Sequence, residues 1–240
     1  MSEPITVMKR YELKYLVSAE QRAYLEQALS GRMQADHYGE TTIASLYYDT
    51  PDYRLVRASV EKPEFKEKLR LRSYVPATET TPVFLEMKRK AYNVVYKRRV
   101  QTTIPLVKRF FDRTGDICER GQINTELTYF RDLYKELAPA CMIIYDRTAF
   151  FEPSGDLRLT LDRAPRYRME QLDLTSSADG EPLLPGGWSV LEIKVQQAMP
   201  LWLCDILSRG KIYKTSFSKY GEAYRRQTLG TRQKGMIYCV

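Results

Sequence analysis

Four cations repeat at every second position in one short segment of this sequence. Residues 66–72 read KEKLRLR, and the cations share one parity: Lys66, Lys68, Arg70 and Arg72. Alternation with period two is typical of a β-strand with one apolar and one polar face, on which neighbours lie about 7 Å apart. Such a row of like charges either sits in solvent, as on a basic edge strand that resists aggregation, or faces a polyanion. For this strand alone, the solvated edge is the simpler interpretation.

The same alternation recurs along the chain, with Arg, Lys or Glu on the polar face. It is found in the segments 6–17, 83–90, 94–103, 142–151, 157–162 and 188–195. A β-sandwich would explain the alternation, but not why Glu and Arg dominate where Thr, Ser or Gln would serve. A closed barrel with a charged lumen and helices outside would explain both, and it would need an anion because clustered buried cations are costly. Glutamates among the cations indicate internal ion pairs or a divalent metal.

Helical segments separate these strands and are expected to cover the apolar faces. Ser18 and Gln21 have the spacing of a capping box, which predicts a helix that follows to about Leu29. Further helices are predicted at 104–137, in two pieces, at 200–208 and at 217–229.

The composition restricts the class of protein and its partners. The 240 residues are 43% hydrophobic and 28% charged, as in a globular protein, and the formal charge of +8 points to an anionic partner. The four cysteines form no C-x-x-C pair, which fits a reducing compartment and argues against a zinc site. The single histidine, His37, nearly excludes histidine triads and clusters of histidine ligands. No signal peptide opens the chain and no apolar run approaches about 20 residues, so we expect a cytoplasmic protein.

Eight short motifs follow one another through the chain. They are RYELKY at 10–15, SLYYDT at 45–50, KLRLR at 68–72, LEMK at 85–88, YDRTAF at 145–150, LRLTLD at 157–162, LEIK at 191–194 and FSKYG at 217–221. Together they resemble the VTC domain, the catalytic domain of the vacuolar transporter chaperone polyphosphate polymerase. That domain belongs to the CYTH-like superfamily of triphosphate tunnel metalloenzymes. Each motif alone is weak, but eight in the same order are specific.

The resemblance implies both a fold and an activity. The implied fold is α+β, with a closed antiparallel β-barrel of about eight strands, helices packed outside and a C-terminal helix closing a tunnel, as a single domain over 1–240. The implied function is a polyphosphate polymerase that transfers the γ-phosphate of ATP to a growing polyphosphate chain. Its cofactor would be Mn²⁺ or Mg²⁺, and its partners would be ATP and polyphosphate or triphosphate.

The site residues are carried over position by position. The implied catalytic residues are Lys14, Arg70, Arg72, Lys88, Arg147, Arg158 and Lys219. The implied substrate-binding residues are Arg10, Lys97, Arg99 and Lys194. The implied metal ligands are Glu192 and Glu12. Arg10 stands where the wider superfamily has the first glutamate of an E-x-E-x-K motif, which favours the polymerase branch.

Two alternatives remain open from the sequence. One is a triphosphatase that hydrolyses triphosphate or a nucleoside triphosphate in the same tunnel. The other is a non-catalytic module that binds polyphosphate or nucleic acid. Nucleic acid is not expected, because the cations are spread over strands without a basic tail or a recognition helix. Since the sequence has no transmembrane segment of its own, a location at the inner face of a membrane would require a membrane-protein partner.

Overall fold

The computed structural model describes residues 11–61, 63–74, 76–92, 94–153 and 155–236, with side chains up to Leu229. Within them the strands are β1 (Tyr11–Val17), β2 (Gln34–Asp49), β3 (Phe65–Ser73), β4 (Val83–Ala91), β5 (Val94–Thr102), β6 (Ala138–Phe151), β7 (Arg158–Arg168), β8 (Glu181–Pro182), β9 (Ser189–Val195) and β10 (Lys214–Thr215). The helices are α1 (Ala19–Leu29), α2 (Arg54–Glu61), α3 (Ile104–Phe111), α4 (Gln122–Tyr134), α5 (Leu201–Arg209) and α6 (Lys219–Met236). The predicted α+β class is therefore confirmed.

The strands form one hydrogen-bonded path in the order β10-β1-β9-β7-β6-β2-β3-β4-β5, with β8 beside β7. The pairs with a described register are antiparallel. The path has two ends, β10 and β5, so the described strand pairs do not close a ring as the sequence analysis predicted. The closed barrel of about eight strands is thus corrected to a large antiparallel sheet.

The chain divides into two compact units. The first contains the residues up to 42, 145–165 and 184–217, and the second contains 43–144, 166–183 and the residues from 218 onward. The expectation of a single domain over 1–240 stays a prediction.

The first unit packs α1 and α5 on the apolar face of its strands. Leu159 and Leu161 of β7 and Leu191 and Ile193 of β9 are buried there with residues from both helices. Ser18 caps α1: its hydroxyl accepts a hydrogen bond from the Gln21 backbone N–H, and the Ser18 backbone N–H donates one to Oε1 of Gln21. The predicted capping box is therefore confirmed. Because side chains alternate along a strand, burying these residues turns the charged residues of β7 and β9 to the other face.

The second unit builds its core on the neighbouring strands β3 and β4. Leu69 and Leu71 of β3 and Leu85 and Met87 of β4 are buried with apolar residues of α3 and α4. The two predicted helical pieces in 104–137 are confirmed as α3 and α4. Here too, because side chains alternate along a strand, burying the leucines places the even-numbered cations of β3 on the opposite face. No helix among the described residues is both long and apolar enough to cross a membrane.

Candidate functional site

The second unit gathers cations around one carboxylate, which we call the Glu86 cluster: Arg70, Arg72, Glu86, Lys97 and Arg99. The register of β3, β4 and β5 places Arg70, Glu86 and Arg99 in one row across the sheet. Cross-strand neighbours in such a row have their Cβ atoms about 5 Å apart, so long side chains can meet on one face. The antiparallel meander thus brings together residues that are far apart in sequence.

Glu86 contacts four cations. Its Oε2 accepts a 2.8 Å hydrogen bond from Nε of Arg70 and lies 3.9 Å from Nη1 of Arg72. Its Oε1 lies 2.6 Å from Nζ of Lys97 and 3.6 Å from Nε of Arg99. The side chain of Glu86 is only 2% exposed, whereas that of Lys97 is 46% exposed. One negative charge therefore faces four positive charges, and the half-exposed Lys97 is accessible to a ligand.

The excess of positive charge shifts the pKa values within the cluster. Burial alone would raise the pKa of Glu86, but the nearby Arg70 and Arg72, with Lys97, lower it to about 2. The pKa of Lys97 is lowered, because burial and repulsion from the two arginines outweigh the attraction of Glu86. Lys97 is thus surrounded by more positive than negative charge although it is paired with Glu86, and this excess favours the binding of an anion.

Aromatic side chains hold two of these guanidinium groups. Nη1 of Arg70 donates a 3.2 Å hydrogen bond to the Tyr47 hydroxyl. The guanidinium carbon of Arg99 lies 3.8 Å from the ring centroid of Phe84, and its Nη2 donates a 3.1 Å hydrogen bond to the Tyr74 hydroxyl. Cation–π contacts of this kind stabilise a guanidinium by about 0.5–2 kcal/mol, so they help to fix its position.

A row of lysines lies next to the Glu86 row. The register pairs Lys68 of β3 with Lys88 of β4, and Lys88 with Lys97 of β5. Nζ of Lys68 donates a 3.1 Å hydrogen bond to Oγ of Ser218, the residue before α6. Lys219 is the first residue of α6. The strand cations and the start of the C-terminal helix are therefore connected within the second unit.

Tyr220 anchors this helix to β2. Its ring stacks on that of Tyr47, with 4.7 Å between the centroids, and its hydroxyl donates a 2.8 Å hydrogen bond to Oδ2 of Asp49. The buried Asp49 carboxylate also accepts bonds from the backbone N–H groups of Leu55 and Val56 at the start of α2. Burial and the adjacent Asp49 charge raise the pKa of Tyr220 far above its usual value. Tyr220 therefore stays a hydrogen-bond donor and attaches the first turn of α6, which begins at Lys219, to β2.

The first unit holds a second group of charges, the Glu192 cluster: Glu12, Lys14, Arg147, Asp162, Glu192 and Lys194. The register of β1 and β9 pairs Lys14 with Glu192 and Glu12 with Lys194. Nζ of Lys14 lies 3.1 Å from Oε1 of Glu192 and 3.3 Å from Oε1 of Glu12. Burial opposes the charged form of Lys14, but the two glutamates outweigh it and raise its pKa. The Lys14 ammonium thus lies between both predicted metal ligands.

Arg147 is fixed by a forked ion pair. Its Nε and Nη2 donate hydrogen bonds of 2.6 Å and 2.8 Å to the two oxygens of Asp162, which is fully buried. Its Nη2 also lies 3.9 Å from Oε2 of Glu192. Burial would lower the pKa of Arg147, but Tyr145 and Asp162 raise it well above its usual value. Arg147 therefore remains charged and held in one orientation.

Two residues of β7, Arg158 and Thr160, lie on the same face of the sheet as the Glu192 cluster. Arg158 pairs with Lys194 in the β7–β9 register, and its guanidinium carbon lies 5.4 Å from the ring centroid of Phe151. Thr160 pairs with Glu192, and among the described residues its buried hydroxyl has no hydrogen-bond partner. A buried hydroxyl of this kind can serve a ligand on the same face.

The carboxylates of the first unit fit a divalent metal in type and number. Mg²⁺ is bound by one or two carboxylates, with water and phosphate oxygens completing its shell, and Glu12 and Glu192 supply two. Among the described residues, no group of three His, Cys, Asp or Glu side chains is placed to hold a metal ion. The charges of Glu12, Glu192 and Asp162 are, however, already matched by those of Lys14, Arg147 and Lys194.

The sequence-predicted site residues fall into two groups. The first unit contains Glu12, Lys14, Arg147, Arg158, Glu192 and Lys194, and the second contains Arg70, Arg72, Lys88, Lys97, Arg99 and Lys219. Arg10 lies outside the described residues. The expectation that all these side chains line one tunnel stays a prediction.

Three residues that the prediction left out prove central to the geometry. Glu86 is the hub of its cluster, Asp162 holds Arg147, and Asp49 anchors α6. Glu86 and Asp162 could have been found from their parity, because each alternates with buried leucines on a face that otherwise carries cations. Asp49 had no such signal, since its partners come from two other elements, α2 and α6.

The comparisons with known proteins agree with this architecture. The family model of the VTC domain matches residues 9–227. The chain therefore belongs to the VTC domain family, and the resemblance found in the sequence is confirmed. No curated protein matches the sequence.

Two solved structures of presumed adenylate cyclases are similar to the chain. The one from Bacillus halodurans is 16% identical, with a TM-score of 0.52, over 88% of this chain and 96% of that one. The one from Vibrio parahaemolyticus is 13% identical, with a TM-score of 0.48, over 90% of this chain and 98% of that one. At such identity, the likeness to the first protein shows a shared fold and nothing about activity.

Proposed function

We propose that this VTC-domain protein is a polyphosphate polymerase that transfers the γ-phosphate of ATP to a growing polyphosphate chain. The observation that supports it most directly is the Glu86 cluster, in which four cations share one carboxylate. Three of the four are arginines, whose planar forks match the geometry of phosphate oxygens. A site with several cations in excess is suited to a ligand that carries several negative charges close together.

Phosphoryl transfer of this kind requires little covalent chemistry from the protein. A terminal phosphate oxygen of the chain attacks the γ-phosphorus of ATP, the bond from that phosphorus to the bridging oxygen breaks, and ADP leaves with the electron pair. Catalysis then rests on positioning and on neutralising charge on the transferred group. In the Glu86 cluster, Arg70 and Arg72 hold phosphate oxygens, while Lys97 and the neighbouring Lys88 guide the chain.

The Glu192 cluster is assigned the metal-dependent part of the reaction. Glu192 and Glu12 would hold Mg²⁺ or Mn²⁺, which when bound neutralises the charge of phosphate oxygens. Arg147 and Arg158 bind phosphate oxygens through their guanidinium groups. Asp162 keeps Arg147 in place, so that the guanidinium does not turn when a ligand arrives.

The polymerase and triphosphatase alternatives differ in their products. The purified protein is incubated with ATP and Mn²⁺, and the products are resolved on a gel that separates polyphosphate from free phosphate. We expect a ladder of polyphosphate and release of ADP. Free phosphate without a ladder would mean a triphosphatase, and unchanged ATP would mean a binding module.

A matched pair of variants ties the activity to the cluster. Arg99→Ala removes a cation from the Glu86 cluster, whereas Arg98→Ala removes its neighbour in sequence, which forms a forked pair with Glu126 on the opposite face of β5. We expect the ladder to shorten or vanish with Arg99→Ala and to persist with Arg98→Ala. Equal losses in both variants would count against the assignment.

A further inference from the structure

Lys14 forms ion pairs with both predicted metal ligands, Glu12 and Glu192. Its Nζ lies 3.1 Å from one oxygen of Glu192 and 3.3 Å from one oxygen of Glu12. Lys194 and Arg147 each lie 3.9 Å from the other oxygen of Glu192. Lys14 thus bridges two carboxylates in the way a metal ion would.

The strand geometry explains why this bridge forms. Lys14 and Glu12 are two residues apart on the same face of β1, and Glu192 faces Lys14 across the β1–β9 ladder. On its other side, Lys14 pairs with Thr215 of β10, which carries no charge. The ammonium therefore has carboxylates along its own strand and on one neighbouring strand, and it lies where both oxygens converge.

A divalent ion would use the same oxygens. Mg²⁺ lies about 2 Å from a carboxylate oxygen, so an ion shared by Glu12 and Glu192 would fall within a few ångströms of the Lys14 ammonium. Like charges at such a distance repel strongly in a partly buried site. A divalent ion and the Lys14 ammonium therefore cannot both contact Glu12 and Glu192 at the same time.

We propose that Lys14 is a built-in counter-ion that occupies the divalent-cation position between Glu12 and Glu192, so that the protein without phosphate ligand binds free Mn²⁺ only weakly. Glu12 and Glu192 would then hold a divalent ion only together with a triphosphate or polyphosphate, whose oxygens would draw the Lys14 ammonium away from the glutamates. This inference rests on the assignment of Glu12 and Glu192 as metal ligands in the proposed function.

The test measures metal binding without any substrate. Free Mn²⁺ is titrated into the phosphate-free protein and counted by its electron paramagnetic resonance signal. We expect Lys14→Met, which keeps a long unbranched side chain, to bind Mn²⁺ at least tenfold more tightly than the parent. Lys194→Met removes an equal charge that lies farther from Glu192, at 3.9 Å instead of 3.1 Å, and should tighten binding less than threefold. Lys14→Arg should keep the weak binding.

Two further variants make the outcome decisive. Glu192→Gln added to Lys14→Met should remove the gain, which locates the new binding at the glutamate pair. If Lys14→Met does not fold, Lys14→Gln replaces it. The inference is wrong if the parent binds Mn²⁺ as tightly as the Lys14 variant, if Lys194→Met gains as much, or if no variant gains. Since no turnover is measured, this result is separate from the success or failure of the polymerase assay.

Discussion

The Tyr220 hydroxyl donates a 2.8 Å hydrogen bond to Oδ2 of Asp49. This bond joins the first turn of α6 to the end of β2, and the same carboxylate accepts backbone N–H groups from Leu55 and Val56 of α2. Because Lys219 precedes Tyr220, the bond fixes the backbone next to a predicted catalytic residue. Three elements of the second unit therefore meet at one buried acidic group.

The first prediction tests this junction. Tyr220→Phe keeps the ring stacked on Tyr47 but leaves a buried carboxylate oxygen with one donor fewer. We expect the free energy of unfolding to fall by about 1–3 kcal/mol, the usual result of leaving a buried polar group short of a partner. Urea unfolding measures it. The control is Tyr213→Phe, whose ring is 74% exposed and which should change nothing. Equal stability of the Tyr220 variant and the parent would contradict the prediction.

The second prediction concerns acid sensitivity. The pKa of Glu86 lies at about 2 in the folded protein, against an ordinary value of 4.5. Because the folded pKa is the lower one, this group stabilises the fold fully above pH 4.5 and loses its contribution as the pH falls toward 2. The shift corresponds to about 3 kcal/mol at about 1.4 kcal/mol per unit.

Unfolding free energies measured between pH 6 and pH 2.5 provide the check. The parent should lose most of those roughly 3 kcal/mol over this range, on top of the losses that every variant shares. Glu86→Gln should lack this component, because an amide does not titrate. Parallel curves for the two proteins would show that Glu86 does not carry the depressed pKa.

The third prediction concerns Glu192. Glu192→Gln keeps the shape of the side chain and removes the charge that would hold a divalent ion. We expect Mn²⁺-dependent turnover of ATP to be lost, while stability stays nearly unchanged because Asp162 still holds Arg147 and Glu12 still holds Lys14. Tripolyphosphate binding should persist, since the cations remain. The control is Glu79→Gln at an exposed position. A variant that turns over ATP as fast as the parent would refute the metal assignment.

The fourth prediction separates polyphosphate from nucleic acid as the ligand. Tripolyphosphate should raise the melting temperature strongly even at moderate salt, because a ligand that binds only the folded state stabilises it. Contacts with duplex DNA on an open surface weaken steeply with salt through counterion release. Thermal shifts are therefore measured with both ligands at two salt concentrations.

A pair of double variants completes this measurement. Arg70→Ala with Arg72→Ala should abolish the shift caused by tripolyphosphate. Arg113→Ala with Arg120→Ala removes the same charge at two exposed positions outside the Glu86 cluster and should preserve it. A shift with DNA alone, or one with tripolyphosphate that survives the loss of Arg70 and Arg72, would overturn the assignment.

Much of the local structure could be predicted from the sequence because burial imposes period two on the strands. The pattern at 66–72 is enough to place Leu69 and Leu71 in the core and Arg70 on the opposite face. Register across strands is a different matter, since it depends on pairing between distant segments. The sequence therefore predicted Arg70 and Arg99 as site residues, whereas their sharing of the Glu86 carboxylate follows from the register of β3, β4 and β5.

Closure of the sheet was the expectation that failed among the described strand pairs. Alternation fixes which face of a strand is apolar, but it carries no information on whether the first and last strands of a sheet pair. Likewise, the sequence could not reveal that Lys14 contacts Glu192 as well as Glu12, because that contact depends on the β1–β9 register.

The arginines of the Glu86 cluster have few conformations left to lose. Arg70 is held by Glu86 and Tyr47, and Arg99 by the Phe84 ring and the Tyr74 hydroxyl. Freezing a mobile long side chain upon association costs about 0.5–1.5 kcal/mol, and here the fold has met most of that cost before a ligand arrives. The cluster is therefore preorganised, and we expect anionic ligands whose charges do not match the spacing of its arginines to gain little affinity from it.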